Sequence, residues 1–211
     1  MLKKLGRDKL LVGSLALAYG LFAFTFKGPR TQFWNRMTLT GLTLGGLALK
    51  TQPRLRETRI GPKDVATGLA SAAGLYVVFQ IGDRVARVIM PMGASEIDEI
   101  YGLRRLGNKQ AIAARLVGII GPAEELYWRG VVQHRLMELF GKPLGTVLGT
   151  AAYGGAHLVT GNFTLIGAAS VAGGYWGALY ALGVSTGALI VSHAAWDVWI
   201  FLIAPTVAQE D

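Results

Sequence analysis

No cysteine occurs anywhere in the 211 residues. Thiolate nucleophiles, disulfide staples and any metal site that needs sulfur are therefore excluded. Charge is scarce as well: Asp, Glu, Lys and Arg make up 16% of the chain, against about 25% in a typical soluble domain. There is no collagen-like period, no tandem repeat and no Ser/Pro-rich linker. A single domain over 1–211 is the expectation.

What replaces charge is apolar surface. Hydrophobic residues reach 52% and the mean hydropathy is +0.40. The 29 glycines are about twice the usual share of roughly 7%, and glycine is common where membrane helices pack closely. These features predict an all-α integral membrane protein. The net charge of +8 could suggest nucleic acid, but the basic residues stand in short blocks between apolar runs: Lys3, Lys4, Arg7 and Lys9, then Lys50, Arg54, Arg56, Arg59 and Lys63. Such blocks suit cytoplasmic loops and anionic lipid headgroups. A nucleic-acid partner is not expected.

Apolar runs predict spans near 10–26, 33–49, 65–81, 144–159, 163–182 and 186–204, with a charge-interrupted helix over 111–140. The expected architecture is a polytopic bundle of about seven transmembrane helices, its basic N-terminus in the cytoplasm. The ALA at 16–18 offers a faint signal-cleavage pattern, but the apolar run continues past it and favours an uncleaved helix. The segment 83–110 resists simple placement: alternation puts it outside, yet it carries Arg84, Arg87, Arg104, Arg105 and Lys109. An interfacial helix and a re-entrant turn both answer that conflict. Glycines at 141, 145 and 149, at 173 and 177, and at 183 and 187 have the spacing of helix contacts.

The polar residues inside the last runs follow the helical period. Glu125 and Arg129 are four apart and can meet on one face. Glu124 lies about 100° around the helix from Glu125, so the two need not share a role. Tyr153 and His157 are four apart, as are His193 and Asp197. Each pair alone has a structural reading, as an ion pair or a satisfied packing contact. Ionisable groups from three apolar helices together mark a functional site.

The series EELYWR, YGGAH and HAAWD resembles the three motifs of the CAAX protease and bacteriocin-processing (Abi) family, in the same order, over about 111–204. The N-terminal helices, 1–110, match only in being hydrophobic. The resemblance implies an intramembrane glutamic endopeptidase acting on a membrane-associated protein or peptide. Glu124 would be the base that activates water, His157 would share that water, and His193 with Asp197 would stabilise the oxyanion. Glu125 and Arg129 would support them. Tyr153 stands where the family usually has Phe, and Asp197 where many members have Asn. An ionised aspartate cannot donate a hydrogen bond, so Asp197 would rather orient and charge His193.

The family implies no cofactor. Glu124, His157 and His193 nevertheless form a one-carboxylate, two-imidazole set that zinc can use, which is the alternative within the enzyme class. Outside it stand a non-catalytic membrane scaffold or immunity protein, and a proton-relaying transporter.

Overall fold

The computed structural model of the chain describes residues 5–6, 8–89 and 93–204, with side chains at all of them except 83–89 and 93–94. Lys3, Lys4 and Arg7 of the first basic block, and the side chains of Arg84 and Arg87, lie outside this description. The described residues are all-helical, with no strand among them.

Eight helical elements follow in order: α1 (Lys9–Phe26), α2 (Phe33–Thr51), α3 (Pro62–Ile89), α4 (Gly93–Gly102), a long rod α5 (109–140), α6 (Lys142–Ala156), α7 (Phe163–Ala181) and α8 (Thr186–Ile203). Their starts are written locally. Side chains of Asp8, Asn108, Asn162 and Ser185 accept hydrogen bonds from the backbone N–H groups that open α1, α5, α7 and α8, as helix N-caps do. The expected apolar runs match these elements to within a few residues. The exception is α3, which extends beyond its apolar run to 28 residues.

Three helical stretches are long and apolar enough to cross a membrane: Lys9–Phe26, Pro62–Gly82 and Thr186–Ile203. The others fall short for visible reasons. Helix α6 has 15 residues, fewer than the roughly 20 a bilayer core needs. Helix α2 carries Asn35, Arg36 and a series of threonines, and α5 is interrupted by its own charged residues.

Two apolar clusters organise the interior. The larger joins α1, α2, α5 and α6 around Phe22, Leu44, Tyr127, Trp128 and Tyr153. The smaller joins α3, α7 and α8 around Leu75, Trp176 and Leu189. Helices α3 and α8 pack along much of their length. Helix α4 is tied at the end of the bundle away from the start of α1. The Glu96 carboxylate accepts from the Phe163 N–H (3.1 Å) and from the Thr164 N–H (2.8 Å) and hydroxyl (2.6 Å). Asn162 donates to the Glu96 carbonyl, Arg30 to that of Glu99 and Trp34 to that of Leu103. The conflict over 83–110 is thus resolved for 93–106 as a helix and a 3-10 turn pinned by α7 and α2 together with the turn before it.

The small-residue reading needs one correction. Gly145 faces the Met137 backbone, Gly149 faces Gln133, and Gly173 lies under the Tyr153 ring, so these do permit close helix approach. Gly141 and Gly183 do not: they sit in turns at φ 81° and 93° with open space around them. Their role is the left-handed conformation that ends a helix.

Two outcomes follow. Gly145→Ala forces a methyl into the Met137 backbone and should destabilise the α5–α6 hairpin by about 1–3 kcal/mol, whereas Gly13→Ala, with nothing near it, should be neutral; thermal unfolding in detergent measures both. The hydrogen bonds from Thr164 hold the Glu96 carboxyl below the usual value, against the opposing effect of burial. Its tether is therefore complete above the ordinary carboxylate range and is lost as pH falls through the depressed value. At neutral pH, Glu96→Ala should raise deuterium uptake over 93–106 and leave α2 unchanged.

Candidate active site

The rod α5 supplies the acidic pair, and its backbone is unusual where it does so. Leu116–Ile120 and Glu125–Gln133 are π-helical, flanking the short α-helical turn Gly121–Glu124. Proline at 122 has no N–H to give to an α-helical ladder, and a π stretch just before it accommodates that loss. Such stretches are rare and recur at functional sites. Gly121 brings the rod against α8: a Cβ there would sit 3.3 Å from the Ala194 nitrogen. The two glutamates are thereby delivered beside His193.

Both carboxylates converge on that imidazole. His193 Nδ1 lies 2.7 Å from Glu125 Oε1, a hydrogen bond that the ring donates to the carboxylate. His193 Nε2 faces Glu124 Oε2 at 4.0 Å and Asp197 Oδ2 at 3.6 Å. Those distances leave Nε2 without a direct hydrogen bond and suit a group or water between them. The expected separation of Glu124 and Glu125 around the helix holds, yet they flank the same ring from opposite nitrogens. The hydrogen bond that orients His193 comes from Glu125, whereas the sequence pointed to Asp197. Asp197 stands at the open side of the cluster, with its side chain 16% exposed.

Arg129 lies 3.1 Å from Glu125 Oε1, with both side chains buried, so the expected i, i+4 pair forms. Its guanidinium sits 4.7 Å from the Tyr153 ring centroid and 5.4 Å from that of Trp176. Nη1, Nη2 and Glu125 Oε2 have no hydrogen-bond partner: Nη1 has the distance of an ion pair but not the angle of a hydrogen bond. Attraction here is carried by charge and by the two aromatic faces.

Helix α6 adds Tyr153 and His157. The Tyr153 hydroxyl donates to Glu124 Oε2 at 2.8 Å, and its carbonyl lies 3.0 Å from His157 Nδ1. A carbonyl only accepts, so Nδ1 carries the hydrogen and Nε2 is left free. His157 closes α6, walled by Phe22 and Phe26 at 5.2 and 6.0 Å between ring centroids. Beyond Phe26 a cavity of about 110 Å³ opens at the α4 end of the bundle, lined by Arg30, Phe33, Leu103 and Asn162 among others.

All six residues singled out in the sequence thus belong to one buried neighbourhood: Glu124, Glu125, Arg129, His157, His193 and Asp197. Two further residues went unassigned there. Tyr153 bonds Glu124 through its side chain and His157 through its backbone, and its departure from Phe was the available signal. Trp176, with its ring stacked on His193 at 4.1 Å and 19°, had no signal, because nothing in its spacing connects it to the motifs. Among the described residues no three His, Asp or Glu side chains are arranged as metal ligands. The Glu124–His157–His193 set does not fit zinc in this arrangement, and no step below is routed through a metal.

With the geometry in view, the comparisons with known proteins bear on one segment. Residues 108–199 match the family model described as type II CAAX prenyl endopeptidase Rce1-like, just under half of the chain. The matched stretch runs from the cap of α5 into α8 and contains every residue of the cluster. That family is a peptidase family of the CAAX-protease type, so the motif resemblance extends to the whole segment that carries them. No curated protein and no solved structure matches. The three membrane-length helices and the likeness to a membrane-protease family together make this an integral membrane protein.

Breaking the buried pair should be severe. Arg129→Met leaves Glu125 uncompensated and is expected to cost about 3–5 kcal/mol. The double variant Glu125→Gln/Arg129→Met should recover much of that loss, and thermal unfolding of the four proteins in detergent reads the coupling.

Proposed function

We propose that the protein is an intramembrane endopeptidase of the CAAX-protease type, in which Glu124 activates a water against a peptide bond. The observation that carries this reading is the meeting of Glu124, Tyr153, Glu125 and His193 in one buried cluster. Tyr153 occupies Glu124 Oε2, and no described residue hydrogen-bonds Oε1, which leaves that oxygen to accept the proton of a water. His157 Nε2, free because Nδ1 is bound to the Tyr153 carbonyl, shares that water.

The water oxygen bonds the carbonyl carbon as Glu124 takes its proton, and the carbonyl electron pair moves onto oxygen. His193, held through Nδ1 by Glu125, presents Nε2 to the oxyanion, with Asp197 favouring its protonated form. Preorganised donors of this kind contribute about 3–4 kcal/mol each. Collapse re-forms the carbonyl, breaks the C–N bond and returns the proton to the leaving amine. No cofactor enters. Zinc on Glu124, His157 and His193 would require those side chains to rearrange.

The substrate is a membrane-associated protein or peptide: a prenylated C-terminus, a leader peptide or an anchoring segment. In this reading α1, α2, α3, α5, α6, α7 and α8 are the approximately seven membrane helices of one domain, with the N-terminus on the cytoplasmic side. The partners are the substrate and the bilayer, not nucleic acid.

One observation favours a second reading. Glu125, Arg129 and His193 are bound to one another, as are Tyr153 and Glu124, and such a network would also glue helices in a non-catalytic scaffold. Membrane and secreted proteomes of three strains separate the two: wild type, deletion, and Glu124→Gln at matched expression. A protease predicts the same unprocessed proteins in the deletion and in Glu124→Gln. A scaffold predicts that Glu124→Gln behaves as wild type.

A further inference from the structure

His193 is gripped within its own plane. Glu125 holds Nδ1, while Glu124 and Asp197 face Nε2. In-plane contacts stop the ring from spinning but do little against tilting, which would carry Nε2 out of line with the Glu124 carboxylate. Trp176 supplies the missing restraint. Its ring lies nearly parallel to the imidazole, with centroids 4.1 Å apart and planes 19° apart, and both residues are buried.

The indole is itself fixed. Its Nε1–H donates to the Ser192 hydroxyl at 3.0 Å, and Ser192 donates to the Ser71 hydroxyl at 2.9 Å. Ser71 sits on α3, where its carbonyl also accepts from the Tyr175 hydroxyl. The second face of the restraint is cationic: the Arg129 guanidinium lies 5.4 Å from the same Trp176 ring. Trp196 meets it edge-on. Such a ring, locked by a hydrogen-bond chain and wedged between helices, has a single orientation to offer its neighbour.

The geometry points to Trp176 as the positioning residue for His193, with the Trp176–Ser192–Ser71 chain extending that control from α7 through α8 to α3. The kinetic consequence rests on the proposed peptidase activity; the stacking does not.

The test uses the full-length chain in lipid nanodiscs with two readouts. Tryptophan emission is compared for wild type and His193→Ala, each with Trp176 intact or as Trp176→Phe. An imidazole stacked on the indole alters emission, so His193→Ala should change it with Trp176 intact, and most of that change should vanish in Trp176→Phe. Equal changes in both backgrounds overturn the stack, whatever the activity. Turnover of a quenched fluorescent peptide bearing a C-terminal prenylated cysteine is then compared for Trp176→Leu, Trp176→Phe and Ser192→Ala. Loss of orientation should lower kcat about 10- to 100-fold in Trp176→Leu with KM unchanged, and Trp176→Phe, which keeps an aromatic face, should recover most of it. If Trp176→Leu fails to fold, Ser192→Ala decides: a lower kcat at constant KM supports positioning, and unchanged kinetics overturn it. A wild-type protein that cleaves nothing defeats the peptidase reading and leaves the emission result to judge the stack.

Discussion

A carboxylate sealed inside an apolar bundle is the constraint from which the remaining arrangement follows. Glu125 is fully buried, and an ion at such depth costs several kcal/mol unless charge and hydrogen bonds compensate it. Arg129 answers from the same rod and His193 from α8. Each answer brings further demands. The guanidinium, short of acceptors, lies against Tyr153 and Trp176. Those two rings belong to different apolar clusters. The site therefore occupies the seam between the two halves of the core, and neither half could close without neutralising it.

The N-terminal helices acquire a role that their composition alone does not announce. Phe22 and Phe26 from α1 wall the His157 ring, and Ser71 from α3 ends the hydrogen-bond chain behind Trp176. The residues that carry chemical groups lie in the C-terminal half, matched to the family model, while their aromatic and hydroxyl supports come partly from before residue 108. A fragment holding all three motifs would still lack the walls around both histidines.

How much of this was legible in the sequence depends on the range of the interaction. The i, i+4 pair of Glu125 and Arg129 follows from helical period alone, and the spans follow from apolar run length. Asp8, Asn108, Asn162 and Ser185 mark helix starts by their own chemistry. What escaped was tertiary. The Trp176 stack, the capture of Glu96 by the start of α7, and the Glu125 hydrogen bond to His193 join residues 16 or more positions apart. No local pattern encodes such pairs. Gly141 and Gly183 show the other limit: spacing fitted helix contact, but their backbone angles belong to turns. Tyr153 lies between, since a hydroxyl in an apolar helix signals that a partner exists without naming it.

The π-helical stretch Glu125–Gln133 has a consequence for how this segment can vary. A π turn holds more residues than an α turn, because each bond closes at i+5 instead of i+4. The stretch is in effect a locally stored surplus of chain. Deleting one residue within it would let the backbone return to α geometry while swinging everything downstream around the axis, including Gln133, which reaches Gly177 on α7. Length in these few residues is thus coupled to the register between α5 and its neighbours, and the segment is far less free to gain or lose a residue than to exchange one.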